Sequence, residues 1–318
     1  MLRKFLLVAL LIVLLAACTP QAAPTSAPAA TERPAAEPAV ETALTVTDGL
    51  GREVTLNAIP QRIISLAPSN TEILFAIGAG EQVVGRDTLS DFPEEAKEVA
   101  DIGSTFEALN TELIVSLEPD LVLAAEINTP EQVKQLEDLG LTVYYLKNPL
   151  TLEEMYDNLE LLAQLTGHQE EAADLVESLK ARVAAVDEKI APLSSRFSVF
   201  YELDATDPAK PFTAGKGTFI TQLIDRAGGY NIASDLDGYP QMSLEQVVAA
   251  DPAFIILGDA RYGVSPESIA QRPGWENLSA VKNGQVLPFN DDLVSRPGPR
   301  LVDALEELAR MLRPELFP

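Results

Sequence analysis

The chain has 318 residues, 47% of them hydrophobic and 6% aromatic, enough apolar side chain to fill one large or two medium cores. A formal net charge of −25 excludes the basic footprint that nucleic-acid phosphates demand; it fits docking on a basic protein partner, or solubility alone. One cysteine, Cys18, and one histidine, His168, exclude a disulfide scaffold and a Cys/His metal site.

In chain order, residues 1–17 read as an export signal. Arg3 and Lys4 precede an apolar run at 5–15 that is well short of the ~20 residues of a membrane span. The run ends Leu15-Ala16-Ala17-Cys18, which resembles a bacterial lipobox. That resemblance implies cleavage before Cys18 and lipid, palmitate included, on its thiol. Residues 18–43, rich in Ala, Pro, Thr and Glu, have too little apolar surface to fold and read as a tether.

Residues 44–166 are expected to form a first α/β lobe. The alternation at 44–56 around Asp48-Gly49 predicts a hairpin, and R-I-I-S-L-A at 62–67 predicts a strand buried on both faces. Pro68-Ser69 breaks that strand, and Ser69 with Glu72 has the spacing of a capping box opening a helix that runs to Gly78. Further strands are expected at 83–85 and 141–146. From Leu152 to about Ala191 the pattern is helical, with a break at Gly167-His168; 167–192 is the candidate helix between lobes. Residues 193–318 form the second lobe, with a strand at 197–201, a helix at 218–227 ended by Gly228-Gly229, and a closing amphipathic helix at 301–312.

One stretch occurs twice. N-T-E-L-I-V-S-L-E-P-D-L-V-L-A at 110–124 and S-L-E-Q-V-V-A-A-D-P-A-F-I-I-L at 243–257 are offset by 133 residues, Pro119 falling on Pro252 and Glu112 on Glu245. Each reads as a cap, an acid in the first turn, a short helix, an acid-Pro break and a buried strand. So long an offset predicts two similar lobes with a cleft between them, since solenoid repeats are about 20–50 residues long.

Catalytic motifs are not found: there is no G-x-S-x-G, one histidine leaves no Ser-His-Asp set, and Gly215-Lys216-Gly217-Thr218 lacks the leading spacing of a phosphate loop. An enzyme is therefore not expected. A cleft at the carboxyl ends of parallel strands would receive Phe92, Phe106, Phe212 and Tyr239 as apolar plates, with Arg86, Lys216, Asp292 and Arg296 as polar groups.

R-I-I-S-L-A-P-S-N-T-E-I-L-F-A-I-G-A-G, S-D-F-P, L-N-T-E-L-I-V-S-L-E-P-D-L-V-L-A, P-F-T-A-G-K-G, R-P-G-W-E-N-L-S-A-V-K-N-G-Q-V and S-R-P-G-P-R together resemble the substrate-binding proteins of ABC importers for cobalamin, ferric siderophores and haem. The resemblance implies two Rossmann-like lobes with parallel sheets, joined by one long helix (the class III periplasmic-binding fold), with no catalysis and no resident cofactor. It implies a monomer outside the cell membrane that hands a cobalt corrinoid, a ferric siderophore or haem to a permease with ATPase subunits; an enzyme on the same fold is the other reading. Within that pattern, which is most similar to the cobalamin binders, Phe106, Phe212, Tyr239, Asp292 and Arg296 match ligand contacts, while Leu89 and Ala125 stand where aromatics are expected. Arg86, Arg261 and Arg296 leave an anionic chelate open. Glu112 and Glu245 match acids that meet arginines on the permease, although an acid in a first helical turn also serves its own helix.

Overall fold

A computed structural model describes residues 43–317, so the export signal, Cys18 and almost all of the tether lie outside the described residues. The first lobe runs through β1 (Leu44–Thr47), β2 (Glu53–Leu56), β3 (Ile63–Ser65), α1 (Pro68–Ala76), β4 (Val83–Arg86), β5 (Ala100–Asp101), α2 (Thr111–Ser116), β6 (Leu121–Ala125), α3 (Pro130–Asp138), β7 (Val143–Leu146) and α4 (Leu152–Thr166). After α5 (Gln169–Ile190) come β8 (Phe197–Glu202), α6 (Phe219–Arg226), β9 (Gly229–Asn231), α7 (Leu244–Ala250), β10 (Phe254–Leu257), α8 (Pro266–Ala270), α9 (Ser279–Lys282), β11 (Val286–Pro288), α10 (Asp292–Ser295) and α11 (Leu301–Leu312).

Two parallel sheets result, one per lobe, ordered β5-β4-β3-β6-β7 and β11-β10-β8-β9. Their central strands are apolar on both faces because both faces are covered. On one face Ile64, Val122, Ala124 and Tyr145 pack in a private core of the first lobe. On the second sheet Phe200, Ile255 and Leu257 pack likewise around Trp275. The opposite faces, through Ile63, Leu121 and Leu123 in one lobe and Val199, Tyr201 and Ile256 in the other, join a single core with α4, α5 and α11. The lobes therefore share a hydrophobic centre as well as a connecting chain.

The 22 residues of α5 reach about 33 Å at ~1.5 Å each. Gly167 ends α4 in the left-handed conformation (φ 84°) and His168 begins α5. Arg182 ties α5 to α11 through Asp303 (2.6 Å) and Glu306 (2.7 Å). The hairpin of β1 and β2 pairs as expected, and its turn docks on the edge of β7, where Gly49 donates to the Tyr145 carbonyl at 2.8 Å. A Cβ at Gly49 would lie 2.9 Å from the Lys147 backbone, so only glycine allows that approach.

The two copies of the repeat fold alike. Asn110 caps α2, accepting from the Leu113 amide, and Ser243 caps α7 in a reciprocal capping box with Gln246. Among the described residues the non-glycine residues with positive φ are Glu118 (46°) and Asp251 (42°), the acids before the matched prolines. The duplication thus extends to a backbone conformation that L residues seldom adopt.

The capping box expected at Ser69–Glu72 is a correction. Pro68, whose fixed φ suits a first helical position, starts α1 earlier, and the N-cap Ala67 has no side-chain partner. Glu72, 2% exposed, instead turns toward the second lobe. Arg300 grips it twice, Nε to Oε2 at 2.7 Å and Nη2 to Oε1 at 2.5 Å, and Arg296 Nη1 adds a third contact at 3.2 Å. Phe92 lies under the Arg300 guanidinium at 4.0 Å. Burial pushes the Glu72 carboxyl up, and the two guanidiniums oppose that push. Strands β5 and β9, two and three residues long, were not expected from the sequence, nor was helix α3, although Thr129 and Gln132 form a capping box at its start.

Removing one partner of a buried ion pair strands the others without water. Glu72→Ala is expected to cost about 3–5 kcal/mol in urea unfolding, and Glu72→Gln, which keeps hydrogen bonds to the arginines, less. A loss below about 1 kcal/mol for Glu72→Ala would mean that this contact does not hold the lobes.

Candidate ligand-binding site

In an open parallel sheet the crevice forms where the strand order reverses, beyond the carboxyl ends. In the first lobe that point lies between β3, which leads on to β4, and β6, which leads on to β7. A cavity of about 310 Å³ sits there, in the cleft. The first lobe supplies an apolar wall from Ala67, Pro68, Leu89, Phe106, Ala125 and Ile127, and the second supplies a polar wall from Arg261, Tyr262, Asp292, Ser295 and Arg296.

The charges on these walls are matched. Arg296 meets Asp91 at 2.6 Å and Asp292 at 3.4 Å besides Glu72, and Arg261 pairs with Asp292. Arg296 and Arg261 hold the Asp91 carboxyl below its ordinary value against the opposing effect of burial. The cavity lining therefore contains two guanidiniums and two carboxylates, and Asn148, Thr88 and Ser295 add neutral hydrogen-bonding groups.

Of the ligand contacts expected from the sequence, Phe106, Asp292 and Arg296 line this cavity, with Phe106 67% exposed. Leu89 and Ala125 line it too, so the missing aromatics fall on the cavity wall. Phe212, Lys216 and Tyr239 lie instead on paired loops of the second lobe, where Phe212 bridges Asp204 and Gln241 and Lys216 bridges Asp237. Tyr239, 57% exposed, has its phenol raised by desolvation and then by the carboxylates of Asp291 and Glu126. Glu126 belongs to the first lobe beside Ala125, which puts Tyr239 at the rim of the cleft.

Arg86 is a correction. Its Nε donates to the Ala96 carbonyl (3.1 Å) and its Nη1 to the carbonyls of Asp87 (3.0 Å) and Thr88 (3.3 Å) and to Asp101, and it does not line the cavity. Lys216 is likewise exposed away from it. Tyr262 escaped the sequence reading altogether. The signal was its place in the turn after β10, the strand equivalent to β6, five residues past the strand end. Trp275 is fully buried, edge-on to Phe200 and 4.9 Å under Arg272, and does not reach the cavity.

Glu112 and Glu245 are exposed at equivalent places on α2 and α7. Val115 and Val248, one turn on and also offset by 133, are 42% and 40% exposed. Each lobe so presents an acid and an apolar contact on a short helix. Hydrogen bonds from its own backbone and from Ser243 lower the Glu245 carboxyl.

Beneath the polar wall lie buried acids. Tyr201 donates to Asp291 at 2.7 Å, and Glu202 is held bidentately by Arg272 at 2.5 and 2.8 Å. Asp259 Oδ2 accepts from the Ala205 amide at 3.2 Å. Burial first, then the neighbouring Glu202, push its carboxyl up to about 7; Arg272 and the backbone donors pull the other way. Burial first, then Asp291, push the Tyr201 phenol up, and Asp259 adds to the push.

Two parallel-sheet lobes bound by a long helix, with a cleft lined by both, are the architecture of a substrate-binding protein for a small molecule. The family model for periplasmic binding proteins matches residues 63–293, and the chain belongs to that family. It is 36% identical to an uncharacterized ABC transporter substrate-binding lipoprotein of Bacillus subtilis, over 86% of this chain and 87% of that one. The crystal structure of the periplasmic vitamin B12-binding protein BtuF of Vibrio cholerae is 32% identical, with a TM-score of 0.68 over 80% of this chain and 97% of that one. The apo periplasmic heme-binding protein RhuT of Roseiflexus sp. RS-1 is 28% identical, with a TM-score of 0.71 over 80% and 99%. The family and these relatives are substrate-binding proteins, not enzymes.

Asp259 generates a pH prediction. The folded chain keeps that proton up to about pH 7, whereas an unfolded aspartate releases it near the ordinary 3.8. Between those values the native state binds more protons, so this group's contribution to stability falls as pH rises, then levels off above about 7. Asp259→Asn is expected to gain on the order of 2 kcal/mol over wild type at pH 8 relative to pH 5. Parallel pH profiles for the two proteins in urea melts would refute it.

Proposed function

We propose that this protein captures a corrinoid of the cobalamin type in its interlobe cleft and delivers it to an ABC permease from the outer face of the cell membrane. The supporting observation is the neutrality of the cavity: each guanidinium in it already faces a carboxylate. Ferric siderophores are mostly anionic and haem carries two propionates, so either would need unpaired cations. A corrinoid ring is rimmed largely by neutral amides, which the side chains of Asn148, Thr88 and Ser295 suit, while its apolar face suits Phe106, Leu89 and Ile127. Similarity to the Vibrio cholerae vitamin B12-binding protein supports the same choice. The protein acts as a lipid-anchored monomer, held through Cys18 and the 18–43 tether, and itself carries no cofactor.

Calorimetric titration tests the ligand. Cyanocobalamin is expected to bind one to one, hemin and ferric siderophores at least tenfold more weakly, and Phe106→Ala to weaken cyanocobalamin by about 10–100-fold. Tighter binding of hemin or of a ferric siderophore would replace the corrinoid reading. Trp275 is too enclosed to serve as a stacking probe, which makes calorimetry the better readout.

Delivery is tested in cells. Glu112→Arg with Glu245→Arg should abolish uptake while leaving affinity unchanged, because arginine there would repel a basic permease surface. Cys18→Ser should release the protein from membranes. Normal uptake by the double variant, or membrane retention of the serine variant, would refute the respective part.

A further inference from the structure

The second lobe has a switch point of its own. β8 leads to β9 on one side and β10 to β11 on the other, so the loops after β8 and β10 diverge as those after β3 and β6 do in the first lobe. Between them lies a chamber of about 420 Å³, walled by the 203–206 loop after β8 and by Asp259, Tyr262 and Val264 after β10. Tyr262, 80% exposed, lines both this chamber and the cleft cavity.

Asp259, a residue of this lining, has one oxygen without a partner among the described residues. Asp259 is 4% exposed, its Oδ2 accepts from Ala205, and its Oδ1 has no hydrogen-bond donor. A buried carboxylate oxygen left so is costly unless a ligand supplies the donor. Arg272 gives one hydrogen bond from each Nη to Glu202 and none to Asp259. Asp204 adds a second carboxylate to the lining, which contains no Lys, Arg or His, while Leu203 and Val264 provide apolar cover.

We propose that this chamber is a second binding site and takes a primary ammonium group, whose N–H donors satisfy Asp259 Oδ1 while its alkyl chain packs on Leu203 and Val264. The ammonium comes from a small free amine or from an amine-bearing arm of the molecule in the cleft; only the second source rests on the corrinoid reading. Tetraalkylammonium ions carry the charge without the donor and are excluded, as is K⁺.

Thermal melts at pH 7.5 with n-butylammonium, tetramethylammonium or potassium chloride at equal ionic strength test it. Saturating n-butylammonium is expected to raise the wild-type Tm by about 2–4 °C over the other two salts. Asp259→Asn, which removes the charge isosterically, should lose that increment. Val264→Trp, which fills the chamber and keeps Asp259, should lose it too. Equal responses to all three salts, or an undiminished response in folded Asp259→Asn, overturn the site. Tighter binding of an aminoalkyl amide of cyanocobalamin than of cyanocobalamin, in wild type but not in Asp259→Asn, assigns the ammonium to a ligand arm; equal binding assigns it to a free amine. Failure of cyanocobalamin to bind, with the n-butylammonium response intact, would sink the cleft reading and leave the chamber standing.

Discussion

A carboxylate shut away from water must be surrounded by donors, and Glu72 is in that position. It projects from the first lobe into a place where only Arg296 and Arg300 of the second can answer it. Those arginines sit in the Ser295-Arg296-Pro297-Gly298-Pro299-Arg300 turn that begins α11, so meeting Glu72 fixes where the turn lies. Gly298 then packs against α1, with Ile73 3.5 Å from where its Cβ would be. The shared core of α4, α5 and α11 supplies most of the apolar burial between the lobes, but it is nondirectional. The ion cluster adds the geometry.

The same cluster decides the electrical character of the cleft. Arg296 is spent on Glu72, Asp91 and Asp292, and Asp292 in turn occupies Arg261. A chain with a net charge of −25 thus places arginines in its cleft without making that cleft cationic. The walls differ in kind: the first lobe brings most of the apolar side chains, with Thr88, Asp91 and Asn148 among them, and the second is mainly hydrogen-bonding. A ligand with one apolar face and a neutral polar fringe would be oriented as well as held.

Much of the architecture was readable because parallel sheets buried on both faces write themselves as short runs of Val, Ile and Leu. The runs at 62–67, 121–125 and 254–257 are of this kind, and the repeat with its offset of 133 announced the two lobes. The fate of individual charges was not readable. Arg86 and Arg296 look alike in sequence, yet one is taken up by the carbonyls of its own lobe and the other crosses to the neighbouring one. Glu72 has the spacing of a helix cap, and what redirects it is a pair of arginines more than 200 residues away. Aromatic count foretold plates in the cleft but not which ones, since Trp275 serves a core and Tyr262 stands in the open.

The duplication carries a physical consequence for the second lobe. Whatever geometry makes a crevice at the carboxyl ends of β3 and β6 makes another at the ends of β8 and β10, because strand order and connection are repeated. In the first lobe the crevice opens into the cleft and its wall is largely apolar. In the second, Glu202 ends β8 and Asp259 lies two residues past β10, and the equivalent crevice is lined by the acids Asp204 and Asp259. Glu202 is neutralised by Arg272 and Asp259 keeps its proton to about pH 7. A buried acid without a counter-ion is a stability cost that packing alone gives no reason to keep, since a neutral amide of the same shape would satisfy the Ala205 donor equally well. The charge at Asp259 therefore needs an explanation outside the folded core, and Tyr262 places that explanation one side chain away from the ligand cleft.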